Sequence, residues 1–257
     1  MSYLCSHFTQ LIVFASDLHL GVPNHEESLK REKRFVQWLH EYGSRADEIF
    51  LVGDVFDFWF EYKQVVPKGY TRLLGTLADI CDSGKPVHMF TGNHDMWMFG
   101  YLEQELGVQV HRQPIVRQWD GRSFYIGHGD GLGPGDHGYK FIKRVFTNRF
   151  FQFCFRQFHP DYGVRLAQFF SHSSRNANYE ADKKFLGEDQ EWLIQYIKEV
   201  LQKEYYDYFI FGHRHLPLDL AVENSRYLNL GDWITYNTYG VWDGRELSLE
   251  VYKAPQK

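Results

Sequence analysis

Glu48-Ile49-Phe50-Leu51-Val52 runs directly into Gly53-Asp54-Val55-Phe56-Asp57. A short apolar run that stops at a glycine and a carboxylate reads as a strand buried on both faces, ending in a polar turn. The pattern recurs on either side. Leu11-Ile12-Val13-Phe14-Ala15 leads to Asp17-Leu18-His19, and Val87-His88-Met89-Phe90 leads to Gly92-Asn93-His94-Asp95. Between these runs the spacing predicts amphipathic helices over 26–42, with Phe35, Val36 and Leu39 on one stripe and Gly43 as a C-cap, and over 71–82, closed by Gly84. Alternating strands and helices predict a layered α/β sheet, whose ligands gather at the carboxyl ends of the strands.

Beyond Gly107 the pattern shortens to strands at 108–110, 115–118 and 123–127, with Asp120-Gly121 as a hairpin turn, and His128-Gly129-Asp130 follows. Residues 138–184 read as helical, with a break at His159-Pro160-Asp161 where proline would end a helix. They form an insertion of two helices. A helix over about 189–203 then leads to Tyr208-Phe209-Ile210-Phe211 and Gly212-His213-Arg214-His215. The chain 1–257 reads as one domain carrying a helical lid at about 134–184.

Composition narrows the function. With 44% hydrophobic and 24% charged residues over 257 positions, the chain is a folded globular protein. It holds no charge-free apolar run near the roughly 20 residues a membrane span needs. Three cysteines, Cys5, Cys81 and Cys154, are too few and too scattered for a thiolate metal cluster. The first ten residues lack the basic and apolar regions of a secretory signal, so a cytoplasmic location is expected. A net charge of −5 argues against a nucleic-acid binder. Charge is unevenly spread, however: residues 139–175 hold seven Lys or Arg against one acid, and nine of the 22 Phe.

Five polar clusters end five strand-like runs, and a sheet would bring them to one edge. If the chain stays extended, alternation puts Asp17 and His19 on one side, and likewise His213 and His215. The pooled donors are Asp17, His19, Asp54, Asn93, His128, His213 and His215, all oxygen or imidazole nitrogen. They exceed what one tetrahedral ion takes and suit two divalent metals, with Mn²⁺, Fe²⁺ and Zn²⁺ as the plausible ions. Asp54 is the natural bridge. A metal pair activates a water and neutralises phosphate oxygens, so phosphoester or pyrophosphate hydrolysis is the implied reaction. His94 is the expected catalytic residue, facing the phosphate as a cation or proton donor, with Asp95 as its orienting partner. Asp57, Asp95 and Asp130 are expected to support the ligands.

D-x-H, G-D-x-x-D, G-N-H-D, G-H and G-H-x-H, in this order from Asp17 to His215, resemble the calcineurin-like metallophosphoesterase superfamily. The resemblance implies a four-layer αββα sandwich and a dinuclear site. It implies Asp17, His19, Asp54 and His215 around one ion and Asp54, Asn93, His128 and His213 around the other, with Mn²⁺ as the first expectation.

The metal pair alone leaves the substrate open, and a phosphoprotein, nucleotide or nucleic acid would serve. The insertion is more informative. Phe141, Ile142, Val145, Phe146, Phe150 and Phe153 lie at helical spacing among basic residues, which fits an acyl slot with a cationic rim or a helix resting on an anionic membrane. The run from His128 through Gly131-Leu132 to Asp136 and Tyr139, and Ser174-Arg175-Asn176-Ala177-Asn178, are similar to the UDP-2,3-diacylglucosamine pyrophosphohydrolases of lipid A biosynthesis. That resemblance implies an acylated nucleotide sugar as substrate, cleaved to UMP and 2,3-diacylglucosamine 1-phosphate at the inner face of the cytoplasmic membrane, with no obligate protein partner. It further implies substrate contacts from Asn93, His94, Asp136, Tyr139, Ser174, Asn178 and His213. The chain departs from many members in having His94 in place of Arg, Gly133-Pro134-Gly135 before Asp136, and Ala181 in place of a lysine.

Overall fold

The computed structural model describes residues 10–135, 137–166, 185 and 187–255. Its first sheet is built from β1 (Ile12–Ala15), β2 (Glu48–Leu51), β3 (Val87–Phe90), β4 (Gln109–His111), β10 (Thr238–Trp242) and β11 (Leu247–Val251), in the order β11-β10-β1-β2-β3-β4. The β1-β2-β3-β4 part is parallel. The second sheet takes β5 (Ile115–Trp119), β6 (Arg122–Gly127), β7 (Tyr208–Phe211), β8 (Pro217–Val222) and β9 (Ser225–Leu230), in the order β5-β6-β7-β9-β8.

Side-chain alternation along the strands stacks the layers. Val13 and Ala15 of β1 and Ile49 and Leu51 of β2 face a core shared with α1 (His25–Trp38), α2 (Thr71–Asp82) and α3 (Tyr101–Leu106). Their neighbours Ile12, Phe14, Phe50 and Val52 point the other way, to meet Ile126, Ile210, Leu228 and Leu230 of the second sheet. On that sheet's far face Phe209, Phe211 and Tyr227 pack against Leu193, Ile194 and Ile197, on a helix of residues Trp192–Leu201. Helix, sheet, sheet, helix is the expected sandwich. Every residue of β1 and β3 is buried, so β1 reads as an unbroken apolar run and β3 as one interrupted only by His88.

Local structure departs from expectation in two places. The first helix ends at Trp38 and widens into a π turn over Leu39–Gly43, followed by Ser44 as the capping residue. Gly43 is therefore not a left-handed cap. A Cβ there would lie 3.1 Å from Ile49 Cδ1, so the position is small because the turn packs against β2. In the insertion the first break comes at Asn148, between α4 (His137–Thr147) and α5 (Arg149–Arg156), where the Asn148 side chain accepts from the Phe150 N–H. Pro160 opens helical residues 160–166 instead of ending a helix, because a first-turn residue has no intrahelical use for its N–H. The described insertion thus has three helical pieces where two were expected.

Candidate metal centre

Each expected donor cluster follows a strand at the same end of the two sheets, and the loops are tied together through their backbones. Asp17 N–H donates to Gly53 O at 3.1 Å, His19 N–H to Asp54 O at 2.9 Å, and Gly212 N–H to His128 O at 3.0 Å. Carboxylates also accept backbone donors: Asp54 Oδ1 from His94 N–H and Asp17 Oδ2 from His213 N–H, both at 2.9 Å. The chain is not extended here. Asp17, His19, Asp54, His213 and His215 have φ of +55°, +43°, +51°, +67° and +54°, so convergence comes from left-handed turns and not from strand alternation. Such turns cost an L-residue about 1 kcal/mol each, and their concentration at one sheet edge marks it as a functional site.

Three donor groups result among the described residues: one is His19 with Asp57 and His94, and the other two share Asp54. Asp17, His19, Asp54 and His215 form one of these two and Asp54, His128 and His213 the other, each with its ligand atoms within 4.8 Å of one another. His215 Nε2 lies 3.1 Å from Asp17 Oδ1 and 3.0 Å from His19 Nε2, while His19 Nε2 lies 3.7 Å from Asp54 Oδ2. Donors bonded at about 2.1 Å to a common ion stand roughly 3.0–3.5 Å apart, so these spacings fit a shared cation. The buried atoms Asp17 Oδ1, Asp54 Oδ2, Asn93 Oδ1, His128 Nε2 and His213 Nδ1 make no hydrogen bond among the described residues. Lone pairs buried in this way demand a partner, and a divalent metal satisfies hard oxygens and imidazole nitrogens together.

The electrostatics point the same way. Burial alone would raise the Asp17 and Asp54 carboxyls. The charge of His215 on Asp17, and those of His128 and His94 on Asp54, overcome burial and hold both well below the usual carboxylate range. Burial likewise opposes a charge on His128, but the Asp54 carboxylate 3.2 Å away lifts its pKa to about 10. His213 is pushed down to about 4 by burial and by His128. In the metal-free chain, protons on the imidazoles thus supply the positive charge the carboxylates require, and a bound cation would displace them.

The family model for calcineurin-like phosphoesterases matches residues 11–217, from β1 to the start of β8. The chain belongs to the calcineurin-like phosphoesterases. It is 40% identical over 254 residues to a Porphyromonas gingivalis protein named UDP-2,3-diacylglucosamine hydrolase, covering 93% of this chain and 96% of that one. A Pseudomonas fluorescens protein of the same name is 26% identical over 229 residues, covering 87% and 88%. A third from Proteus mirabilis is 25% identical over 205 residues, covering 80% and 82%.

Within this phosphoesterase, support for the ligands is divided differently from the expected scheme. Asp95 was expected to orient His94. Instead its Oδ2 accepts from the N–H groups of Val55 and Phe56, and its Oδ1 accepts from that of Gly92. It clasps the two ligand loops; the chain already supplies these donors, and a carboxylate gains most from them. Burial, then the charge of Asp54, raises its pKa to about 7. The His94 ring turns to Asp57: its Nδ1 donates to the Asp57 carbonyl at 3.1 Å and stands 3.6 Å from Asp57 Oδ1, which also lies 3.5 Å from His19 Nδ1. Asp57 therefore steadies one donor and the catalytic candidate together. We expect Asp57→Asn to lower kcat by about 10–100-fold, with a smaller change in metal content measured by elemental analysis.

On the other flank Asp130 accepts from Tyr139 Oη and from Lys143 Nζ, pinning α4 beside His128. Tyr139 is thus half-buried against the site wall. Asp136, Ser174 and Asn178 lie outside the described residues. Sequence reasoning missed Ser16, whose Oγ donates to Asp17 Oδ2 at 2.6 Å, and Asn229, whose Nδ2 donates to Gly212 O at 2.6 Å. Neither sits in a recognisable motif. Glycine in the clusters matters for space. A Cβ on Gly92 would fall 2.1 Å from Asp54 Oδ1 and 2.7 Å from the Asp54 backbone nitrogen. Gly92→Ala is expected to cost about 1–3 kcal/mol in denaturant unfolding, because the bridging carboxylate and its loop must move.

Proposed function

We propose that this chain hydrolyses the pyrophosphate of UDP-2,3-diacylglucosamine, releasing UMP and 2,3-diacylglucosamine 1-phosphate. The observation that carries the reading is the 40% identity to the P. gingivalis hydrolase over nearly the whole of both chains. The insertion supports it. α4 is anchored at one end to Asp130 through Tyr139 and Lys143, and at the other to Trp97, whose Nε1 donates to Phe146 O at 2.8 Å. It therefore bridges the His128 flank of the centre and the loop that bears His94. Neither α4 nor α5 has a buried residue. Phe141, Phe150 and Phe153 are 66%, 67% and 59% exposed, which provides an apolar surface for acyl chains beside the phosphate site.

Asp17, His19, Asp54 and His215 would hold one divalent ion, and Asp54, Asn93, His128 and His213 the second, with Mn²⁺ as the ion of choice. Bound there, the ions supply an activated water and neutralise the phosphate oxygens. His94, oriented by the bond from its Nδ1 to the Asp57 carbonyl, would face the phosphate or the departing oxygen. Asn93 and His213 would contact the phosphate from the ligand shell, and Tyr139 the pocket wall. Asp136, Ser174 and Asn178 would hold the glucosamine phosphate. We read residues 1–257 as one unit with its lid at about 134–184, resting on the anionic inner face of the cytoplasmic membrane. No described helix is long and apolar enough to cross a membrane.

Assay of acylated against deacylated UDP-glucosamine tests the substrate. The acylated compound is expected to be turned over far faster. Equal rates on both, or hydrolysis confined to a phosphoprotein, nucleotide or nucleic acid, would overturn the reading.

A further inference from the structure

A partly buried chain of hydrogen bonds crosses the first sheet from β2 to β4. Trp119 Nε1 donates to Glu48 Oε1 at 3.0 Å, Glu48 Oε2 lies 3.2 Å from His88 Nε2, and His88 Nδ1 lies 2.9 Å from His111 Nε2. His88 is buried and stacks on Phe50 with ring centroids 4.4 Å apart, so the rings are held in place. His111 also lines a pocket next to the metal centre, together with Thr91, Arg112, Gln113, His128 and Lys143.

The donors along this chain can be assigned. A neutral imidazole carries one N–H, and an indole N–H only donates. The Glu48 carboxylate only accepts, and its hydrogen bond with His88, opposed by burial, holds it below the usual carboxylate range. With one ring proton on His88, its Nε2 donates to Glu48, and its Nδ1 is left to accept from His111 Nε2–H. The remaining His111 nitrogen, Nδ1, then carries a lone pair with no hydrogen bond among the described residues. Burial above all pushes the His111 pKa down to about 4, so the ring holds a lone pair at neutral pH.

We propose that the Glu48–His88–His111 relay fixes His111 as a hydrogen-bond acceptor for the nucleoside half of the substrate, taking a uracil N3–H or a ribose hydroxyl. The assignment rests on the function proposed above. It places the nucleoside half on the His128 side of the centre. The phenylalanine surface belongs to α4 and α5, and α5 packs through Phe155 on Trp97, three residues beyond His94. The pocket lies beside His128 and is lined by Thr91, Arg112 and Gln113 together with Phe90, Pro114 and Leu132, a mixed lining that suits the polar edges and flat faces of a nucleoside.

Glu48→Gln provides the test. Because Trp119 Nε1 can only donate, the amide oxygen must face it and the amide NH₂ must face His88 Nε2. The relay then reverses, and His111 Nδ1 becomes a donor. In zinc-loaded enzyme at pH 8, imidazole ¹⁵N shifts are expected to show the Nε2–H tautomer of His111 in the wild type and the Nδ1–H tautomer in Glu48→Gln. The inhibition constant of UMP should rise about tenfold in that variant, while that of inorganic phosphate moves less than twofold. His111→Phe, which keeps the packing on Phe90 and offers no acceptor, should weaken UMP similarly. A wild type with the opposite tautomer, or UMP binding unchanged in both variants of an enzyme that still cleaves UDP-2,3-diacylglucosamine, overturns the relay alone. A wild type that turns over other phosphodiesters but neither cleaves that substrate nor binds UMP overturns the proposed function and the relay with it.

Discussion

Asp54→Asn is expected to cut turnover by about 10³-fold or more and to abolish the rise in Tm expected of the wild type on adding manganese, while the far-UV circular dichroism stays the same. Asp54 is the residue shared by two of the donor groups, and its Oδ2 is buried with no hydrogen bond among the described residues. Asparagine keeps an oxygen for the His94 N–H that Oδ1 now accepts, so the loop should hold its shape. What disappears is the negative charge that two cations would share and that lifts His128. Exhaustive chelation of the wild type should produce the same loss, reversed by adding back the metal. The Tm response separates the two roles Asp54 could have. A metal-dependent rise in Tm that survives in Asp54→Asn would mean the bridge is not needed for binding, and full activity after chelation would defeat the metal mechanism.

Much of this centre was legible in the sequence because each donor lies within a few residues of a strand whose last residues are mostly apolar and buried. Ile49 to Val52 announces a buried parallel strand, and Gly53-Asp54 announces its end. Legibility stopped where the determinant was a backbone angle or a contact distant in sequence. Asp17 and His19 look like an alternating pair, yet both adopt positive φ, stabilised by backbone bonds to a loop 35 or so residues away. Asp95 sits next to His94 in sequence and was expected to serve it. The ring is instead met by Asp57, 37 residues earlier, because the loop after β2 folds over the loop after β3. The Glu48–His88–His111 chain spans separations of 40 and 23 residues and follows no local period. In the insertion, Pro160 drew attention as a breaker, whereas Asn148 makes the first break through a capping bond that any polar loop residue could imitate.

Phe150→Asp combined with Phe153→Asp should reduce kcat/KM for UDP-2,3-diacylglucosamine about 100-fold and leave the deacylated compound nearly unaffected. The insertion divides its phenylalanines by task. Phe155 packs inward, with its ring centroid 4.8 Å from that of Phe60 and 5.3 Å from that of Trp97, and holds α5 to the body. Phe150 and Phe153, on the same helix, stay open to solvent. Large apolar groups left exposed gain little for folding, so their replacement should change stability by no more than about 0.5 kcal/mol. Covering each such ring with an acyl chain would contribute about 1.5 kcal/mol or more, and two rings together give the expected hundredfold. The added carboxylates also oppose the basic surplus around them, which would weaken adsorption to vesicles of anionic phospholipid. Phe155→Ala is the contrasting variant: it should lower the melting temperature and impair both substrates, because it releases the helix itself. Equal losses on acylated and deacylated compounds in the double variant, with its melting temperature intact, would remove the acyl surface from the account and leave α4 and α5 as a cover for the phosphate site alone.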